Sequence, residues 1–259
     1  MTRAAVAMWS DIVAIYRSSK KKQDINWFTE HIARRGAAPF VYALRDTRIT
    51  PNQVTMFAVV VCAAAGALWV RWLSWWGLVL GAAIFELSFV LDCVDGMIAR
   101  VRKMASPLGH LLDFLMDELK AMLLYGCVTV RLWRQTEDDR LLIVGLAGLF
   151  CLASGIALTS FMRRPEYGAK PPTEDGQPAE VGGRKGLVGR AVSALEWAAR
   201  VVVHYPQYIW ICALADRIDV YFWAYGAVNL LYLGLSMLKI AFRLGRFAPP
   251  PAPAPEAAS

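Results

Sequence analysis

Apolar residues along this chain are grouped into runs close to the length of a membrane-spanning helix. Crossing the hydrocarbon core takes about 20 predominantly apolar residues. The pattern predicts six such helices, which begin near Val54, Trp76, Leu111, Leu141, Val201 and Val220. The fifth is the weakest of them, because Pro206 and Gln207 interrupt its apolar run. The pattern therefore predicts an all-α integral membrane protein with six transmembrane helices.

Composition supports lipid as the solvent of these helices. Hydrophobic residues make up 57% of the 259 residues, and the mean hydropathy is +0.38. Both values exceed what a soluble domain needs for its core. The five cysteines lie singly in apolar stretches, so neither a disulfide framework nor a thiolate metal site is expected. The N-terminal apolar run is too short for a cleavable signal peptide, and we expect insertion through the first internal span.

A segment before the first predicted span, DINWFTEHIARRGAAPFVYALRDTRI, mixes apolar and basic residues at helical spacing. This pattern predicts an N-terminal amphipathic helix that lies in the interfacial layer of the membrane. We therefore assign residues 1–48 to a cytoplasmic, interfacial segment and residues 49–246 to the six-helix membrane domain. Within that domain, residues 165–190 have the composition of a flexible cytoplasmic loop, and residues 247–259 form a disordered Pro- and Ala-rich tail.

The positions of the basic residues predict the orientation of the helices. The net charge of +7 comes from residues grouped at helix ends, so we do not expect nucleic acid as a partner. Basic clusters precede the first predicted span and follow the second, fourth and sixth. The opposite loops hold only Arg71, Arg131, Arg134, Arg140 and Arg217. By the positive-inside rule, both termini lie on the cytoplasmic side.

One stretch, LDCVDGMIARVRKMASPLGHLLDFLMDELK, places two pairs of aspartates among apolar residues. The members of the first pair are three residues apart and those of the second are four apart, so each pair shares one helix face. Ser106 and Pro107 predict the start of the second helix, as its cap and first position. A short turn can therefore bring the pairs together near the cytoplasmic interface. The pairs are Asp92 with Asp95, and Asp113 with Asp117.

Carboxylates in this position need a cation, because a charge deep in a bilayer costs a few kcal/mol and neighbouring like charges repel. Oxygen ligands without nearby histidine or cysteine favour Mg²⁺, Mn²⁺ or Ca²⁺ over zinc, and the aspartates could hold about two ions. Pairs of such ions bind the bridging oxygens of a diphosphate. Gly96, Ala99 and Gly109 are small residues beside the carboxylates. They leave space either for a ligand or for close helix packing.

Eight positions match the pattern D-x2-D-G-x2-A-R-x8-G-x3-D-x3-D, namely Asp92, Asp95, Gly96, Ala99, Arg100, Gly109, Asp113 and Asp117. This pattern resembles the signature of the CDP-alcohol phosphotransferase family. A second stretch, ITPNQVT at residues 49–55, resembles the turn that many members carry before their first membrane helix. The resemblance implies transfer of a substituted phosphate from a CDP-linked donor to an alcohol, with release of CMP. Members often form homodimers, which we expect here.

The resemblance also implies roles for individual residues. Asp92, Asp95 and Asp113 would be ligands of two divalent ions, Mg²⁺ or Mn²⁺, and Asp117 would be both a ligand and the general base. Contacts with the cytidine nucleotide would come from Gly96, Ala99, Arg100 and Gly109. Asn52 and Thr55 would bound the same pocket. The active site would lie on the cytoplasmic side.

Basic residues after the fourth and within the sixth predicted span are candidates for binding the acceptor. Several relatives carry an arginine near the acceptor pocket at a position similar to Arg163 and Arg164. These two residues could hold an anionic acceptor, although positive-inside anchoring explains them equally well. Lys239 and Arg243 are weaker candidates. Lys120, three residues beyond Asp117, is interpreted as part of a polar helix end.

The first functional prediction is a lipid synthase that uses CDP-diacylglycerol (CDP-DAG) and a polar alcohol, with inositol phosphate, inositol, glycerol phosphate and serine all open. The second is a transferase with a water-soluble donor such as CDP-inositol or a CDP-aminoalcohol. A third hypothesis is a transporter whose aspartates bind an ion or relay protons. A transporter predicts acidic residues spread over several spans, whereas these occupy two adjacent helix ends. A purely structural bundle gives no reason to tolerate their repulsion.

Overall fold

The computed structural model describes residues 3–19, 27–164, 198–199 and 201–244. These ranges contain helices and no strands, which confirms the all-α prediction. In chain order the elements are α1 (Arg3–Ser18), a π-helical turn (Thr29–Ala33), α2 (Arg34–Leu44), α3 (Pro51–Arg71), α4 (Trp75–Val101), α5 (Pro107–Thr136), α6 (Asp139–Met162), a 3-10 turn (Tyr205–Gln207), α7 (Ile209–Leu214) and α8 (Ile218–Leu244). The predicted loop at 165–190, the tail at 247–259 and Lys20 to Lys22 lie outside the described residues.

Within the described part of the chain, four helices are long and apolar enough to cross a membrane: α3, α4, α6 and residues Ile218–Phe242 of α8. They correspond to the first, second, fourth and sixth predicted spans. The third prediction falls on α5, a helix of 30 residues that carries charged side chains along much of its length. The fifth falls on short helical pieces separated around Pro206, which has no N–H to continue a helix. Six spans are therefore not confirmed.

Local sequence signals account for the starts of α3, which carries the ITPNQVT stretch, and of α5, which carries the second aspartate pair. Thr50 and Gln53 form a capping box at α3, in which the Thr50 hydroxyl accepts a bond from the Gln53 backbone N–H and the Gln53 side chain accepts one from the Thr50 N–H. At α5 the Ser106 hydroxyl accepts a bond of 3.0 Å from the Gly109 N–H, and Pro107 takes the first position. The predicted cap and proline are thus confirmed.

Helix α3 holds the other two motif-bearing helices in place. It packs extensively against both α4 and α5, whereas α4 and α5 make few contacts with each other. Trp69 of α3 is fully buried and donates from Nε1 to the Leu78 carbonyl at 2.9 Å. A Cβ atom at Gly81 would come within 2.3 Å of the Trp69 ring, so this glycine permits the close approach of α3 and α4. The two halves of the motif are therefore positioned mainly by α3.

Arg131 lies inside α5, although the sequence pattern placed it in an outer loop. Its side chain is fully buried, and its guanidinium donates to four backbone carbonyls around the turn between α3 and α4. The last carbonyls of a helix have no partner within the helix and carry partial negative charge. Arg131 satisfies them and joins the far end of α5 to the α3–α4 turn. The acceptors are the carbonyls of Trp69, Trp72, Leu73 and Ser74.

Helices α1 and α2 form a second packed region on α4. Ala37, Ala38 and Val41 of α2 are buried there, while Phe40 is exposed. Helix α1 was not predicted, although Ile12 and Ile15 are spaced three residues apart as a buried helical stripe requires. Whether the N-terminal helices lie on a membrane surface stays a prediction.

Candidate active site

The first turn of α3 contacts the aspartates of α4 directly. The Thr55 hydroxyl donates to Asp95 Oδ2 at 2.5 Å and lies 3.2 Å from the Pro51 carbonyl oxygen. Both Thr55 and Asp95 are buried. This hydrogen bond links the ITPNQVT stretch to the motif across 40 residues of sequence. The structure therefore brings the predicted pocket residue Thr55 next to a predicted metal ligand.

The same turn of α3 also lies beside the start of α5. A Cβ atom built at Gly109 would be 3.9 Å from Asn52 Oδ1 and 3.2 Å from Ser106 Oγ. Asn52 itself is exposed, and Gly109 is partly buried. The amide of Asn52 and the bare backbone of Gly109 thus face the same small region, as the resemblance implies for a shared pocket.

The two aspartate pairs interact electrostatically across the gap between α4 and α5. The charge of Asp113 acts on Asp95, and the charge of Asp117 acts on Asp92. Their environments differ, since 59% of the Asp117 side chain is exposed and only 12% of the Asp92 side chain. Of these two residues Asp92 is therefore the more buried, and Asp117 lies at the open edge.

Lys120 joins the aspartate group, and its interpretation as part of a polar helix end is wrong. Only 4% of its side chain is exposed, and Nζ lies 2.8 Å from Asp117 Oδ1 while also forming an ion pair with Asp92 Oδ2. One helical turn separates Lys120 from Asp117, so the sequence contained a local signal for that contact. The contact with Asp92 crosses from α5 to α4 and has no local signal.

Arg100 lies along the last turns of α4, over the glycine of its own motif. A Cβ atom at Gly96 would be 3.4 Å from an Arg100 Nη atom, and Arg100 Nε donates to the Ser19 carbonyl at 3.0 Å. The Ala99 carbonyl accepts a bond of 2.7 Å from the Met104 N–H where α4 ends. The structure therefore groups Gly96, Ala99 and Arg100 at the motif end of α4, with Arg100 extending to the end of α1.

Arg102 belongs to the basic cluster after the second predicted span, and its side chain binds the linker that leads into α3. Its guanidinium donates to carbonyls of the linker between α2 and α3, at 2.9 Å from Arg45, 2.6 Å from Ile49 and 3.0 Å from Thr47, and also to Leu44. The linker leads directly into the first turn of α3. Arg102 thereby connects the end of α4 to the segment that carries Asn52 and Thr55.

The predicted acceptor residues differ in their proximity to the motif. The Arg163 guanidinium carbon lies 4.9 Å from the centroid of the Phe114 ring, which follows Asp113 in α5. Arg164 is exposed at the same end of α6, and Lys239 is exposed on α8. The side chain of Arg243 lies outside the part of the chain that the structure describes. Of the four, Arg163 is the residue with a described contact to the motif helix.

The donor atoms fit a hard divalent cation, since all four motif side chains supply carboxylate oxygen. Asp92 Oδ1 is buried and makes no hydrogen bond among the described residues. A buried carboxylate oxygen without a donor is costly, and a cation would satisfy it. In the described ranges, however, no group of three or more acidic, histidine or cysteine side chains is arranged to hold an ion. The assignment of the four aspartates as ligands stays a prediction.

Comparison with known proteins gives three results. The family model described as CDP-alcohol phosphatidyltransferase matches residues 48–211. Over 77 residues, the chain is 32% identical to the CDP-diacylglycerol–glycerol-3-phosphate 3-phosphatidyltransferases of Rickettsia bellii and Rickettsia typhi. These matches cover 30% of this chain and 40% and 41% of the two relatives, so the chain spans about two fifths of their length.

The third result concerns the fold. The structure resembles the crystal structure of Mycobacterium tuberculosis phosphatidylinositol phosphate synthase with CDP-DAG bound, with a TM-score of 0.51. The alignment covers 80% of this chain and 94% of that one, at 19% sequence identity. At this identity the likeness shows a shared helical fold.

Proposed function

Because this chain belongs to the CDP-alcohol phosphatidyltransferase family, we propose that it transfers a phosphatidyl group from CDP-DAG to a polar alcohol and releases CMP, in a reaction that requires Mg²⁺ or Mn²⁺. The observation that carries this proposal is the meeting of three helix ends. The first turn of α3, with Asn52 and Thr55, lies against the carboxylate-bearing ends of α4 and α5. Carboxylates for hard cations and small residues for a nucleotide are what a CDP-linked substrate needs.

Asp117 is the residue we assign as general base. Its exposure distinguishes it from Asp92, so an alcohol entering from the open side can reach it. Asp117 would accept the hydroxyl proton as the alcohol oxygen attacks phosphorus, roughly in line with the departing CMP. Arg100 cannot lose its proton, and it would add a fixed positive charge near the leaving phosphate.

We assign Asp92, Asp95 and Asp113 as metal ligands. Asp117 is a ligand as well, in addition to its role as general base. Bound Mg²⁺ or Mn²⁺ would polarise the diphosphate of the donor and stabilise negative charge on the departing CMP. The buried Oδ1 of Asp92, which has no hydrogen bond from any described residue, supports this assignment. The hydrogen bond from Thr55 would hold the Asp95 carboxylate in one orientation, as residues behind metal ligands commonly do.

An anionic polyol phosphate is the acceptor to test first. The Rickettsia relatives are named for glycerol 3-phosphate, and the Mycobacterium tuberculosis structure is named for phosphatidylinositol phosphate synthesis with CDP-DAG bound. Arg163 supports such an acceptor, because its guanidinium lies beside Phe114 on the motif helix and could bind a phosphate. Inositol phosphate, inositol and serine remain in the panel.

The proposal also includes the orientation of the chain in the membrane and its assembly. The end of α4 that carries the carboxylates also carries Arg100, Arg102 and Lys103. By the positive-inside rule this end, and with it the site and both termini, faces the cytoplasm. A homodimer is the assembly that we propose for the chain in the membrane.

The decisive assay follows CMP release and lipid product together. The full chain in nanodiscs is supplied with Mg²⁺ or Mn²⁺, CDP-DAG and each alcohol in turn. CMP together with one new phospholipid supports the proposal and identifies the acceptor. Turnover of CDP-inositol or a CDP-aminoalcohol, but not of CDP-DAG, would support a water-soluble donor instead. No turnover with any CDP-linked donor would overturn the proposal.

Asp92→Asn is expected to lower the rate at fixed Mg²⁺ by more than about 100-fold, because a direct ligand matters more than the residues behind it. The substitution keeps the size of the side chain but removes its negative charge. The measurement is initial rate against metal concentration, with Asp46→Asn as a control on an exposed carboxylate. A normal metal dependence in Asp92→Asn would remove this residue from the ligand set.

Gly109→Ala is expected to raise the KM for CDP-DAG by about tenfold, the effect of a steric conflict worth about 1.4 kcal/mol. Stability should change little, since the new Cβ would meet the Ser106 hydroxyl at a close 3.2 Å and Asn52 Oδ1 at an ordinary 3.9 Å, while alanine favours a helix. Gly126→Ala on the same helix is the control, because its Cβ would meet Leu149 at an ordinary 3.8 Å. An unchanged KM would assign Gly109 to helix packing.

A further inference from the structure

Lys120 is a buried cation between the first and the last carboxylate of the motif. Its residue exposure is 3%, and Nζ contacts both Asp92 Oδ2 and Asp117 Oδ1. The backbones of α4 and α5 make few contacts with each other, so the Lys120–Asp92 ion pair is a direct connection between the two halves of the motif. The pattern of eight motif positions does not include this lysine.

The burial of Lys120 is tolerated because of its two carboxylate partners. An ammonium removed from water loses several kcal/mol of hydration, and only close, opposite charges offset that loss. The same argument applies to Asp92, whose other oxygen has no hydrogen bond among the described residues. Lys120 therefore supplies positive charge that the buried Asp92 carboxylate requires.

The position of Lys120 also opposes a second cation. A positive charge a few Å from a bound Mg²⁺ or Mn²⁺ repels it, and the repulsion is strong where water is excluded. An ion coordinated by Asp92 or Asp117 must also compete with Nζ for the same oxygen atoms. The lysine is thus suited to stabilise the group of carboxylates and to weaken their hold on metal.

We propose that Lys120 is a built-in counter-ion of the site, which holds Asp92 and Asp117 together before metal binds and gives up at least one of them when it does. This inference rests on the proposed function, since it requires divalent ions at the motif aspartates. Lys120 is in this view a positioning residue that lowers the affinity for the divalent ion. The site can then assemble without metal and release it readily.

The test is Mn²⁺ binding by the chelator-treated full chain in nanodiscs, followed by electron paramagnetic resonance of free Mn²⁺. Lys120→Met is expected to bind Mn²⁺ about tenfold more tightly than the wild type, because repulsion and competition are both removed. Lys103→Met, which removes an exposed positive charge from the turn after α4, should leave the Kd unchanged. Asp113→Asn should lose the binding and thereby locate the ion.

The outcomes separate this inference from the proposed function. An equal or weaker Kd in Lys120→Met, with normal binding by the wild type, overturns the counter-ion role alone. No saturable binding by the wild type, or full binding by Asp113→Asn, overturns the metal site and the inference with it. Lys120→Gln serves as a second variant of similar length if the methionine variant does not fold.

A stability cycle gives an independent measurement in metal-free buffer. Lys120→Met should lower the Tm by about 5 °C or more, since it leaves Asp92 buried without its counter-ion. Adding Asp92→Asn should restore part of the loss, because the uncompensated charge is removed. Strictly additive losses in the double variant would contradict the proposed pairing.

Discussion

Asp117→Asn is expected to lower kcat by about 1,000-fold, within the range for loss of a positioned general base. Asparagine keeps an oxygen atom for Lys120 and for a metal, but it cannot take a proton from the alcohol. The exposed position of Asp117 supports this role, since the acceptor must reach it from the open side. Binding of CDP-DAG should therefore change little while turnover is lost.

Two measurements distinguish a base from a ligand at this position. The Kd for Mn²⁺ and the affinity for CDP-DAG are determined alongside kcat for Asp117→Asn. A base predicts a loss of kcat that greatly exceeds any change in the Kd for Mn²⁺, whereas a residue that acts only as a ligand predicts parallel losses. Asp46→Asn is the control, because 86% of that side chain is exposed and it bonds only to Arg45 among the described residues. Normal turnover of Asp117→Asn would exclude the base assignment.

Arg131→Met is expected to destabilise the protein by about 3 kcal/mol or more, or by about 10 °C in Tm. Methionine fills similar volume but removes the guanidinium that donates to four backbone carbonyls. These carbonyls belong to the end of α3 and to the α3–α4 turn, where Ser74 O also accepts from the Leu78 N–H at 3.1 Å and Leu73 O from Gln135 Nε2 at 3.2 Å, so the loss falls mainly on the carbonyls of Trp69 and Trp72. Since α3 positions both halves of the motif, activity should fall together with stability.

Arg134→Met is the matched control for this prediction. Arg134 lies almost one helical turn farther along α5, is exposed, and donates to the single carbonyl of Val70. Its loss should cost less than about 1 kcal/mol, as is usual for exposed polar contacts. Thermal unfolding of both variants in the same detergent gives the comparison. Equal and small shifts would show that Arg131 does not brace the α3–α4 turn.

Several features could be predicted because they depend on short stretches of sequence. Ser106 and Pro107 mark the start of α5, and the capping bond of Ser106 reaches a residue only three positions away. Four of the predicted spans follow from continuous apolar runs of sufficient length. The fixed spacing of the motif identified the family, since the chemistry requires the same residue types at the same positions. Each of these signals is read without knowledge of any distant part of the chain.

The features that were missed involve charged side chains whose partners are distant in sequence. Lys120 pairs with a residue 28 positions earlier, and Arg131 bonds to carbonyls about 60 positions earlier. Arg102 likewise bonds to a linker more than 50 positions earlier. Charges at helix ends were interpreted by the positive-inside rule, which describes a statistical preference of loops. It does not distinguish a solvated arginine from one that is buried against backbone carbonyls.

From its amino-acid order alone, the chain predicts an all-helical membrane protein, the start of α5 and a family-specific set of carboxylates. Helical periodicity and apolar length act locally, so these properties are present in each segment before the helices pack. Only the tertiary structure decided that α3 joins the two halves of the motif, that Asp117 rather than Asp92 lies at the open edge, and that Lys120 enters the group. Those outcomes depend on which side chains are excluded from water when helices meet, and burial of that kind arises only from packing.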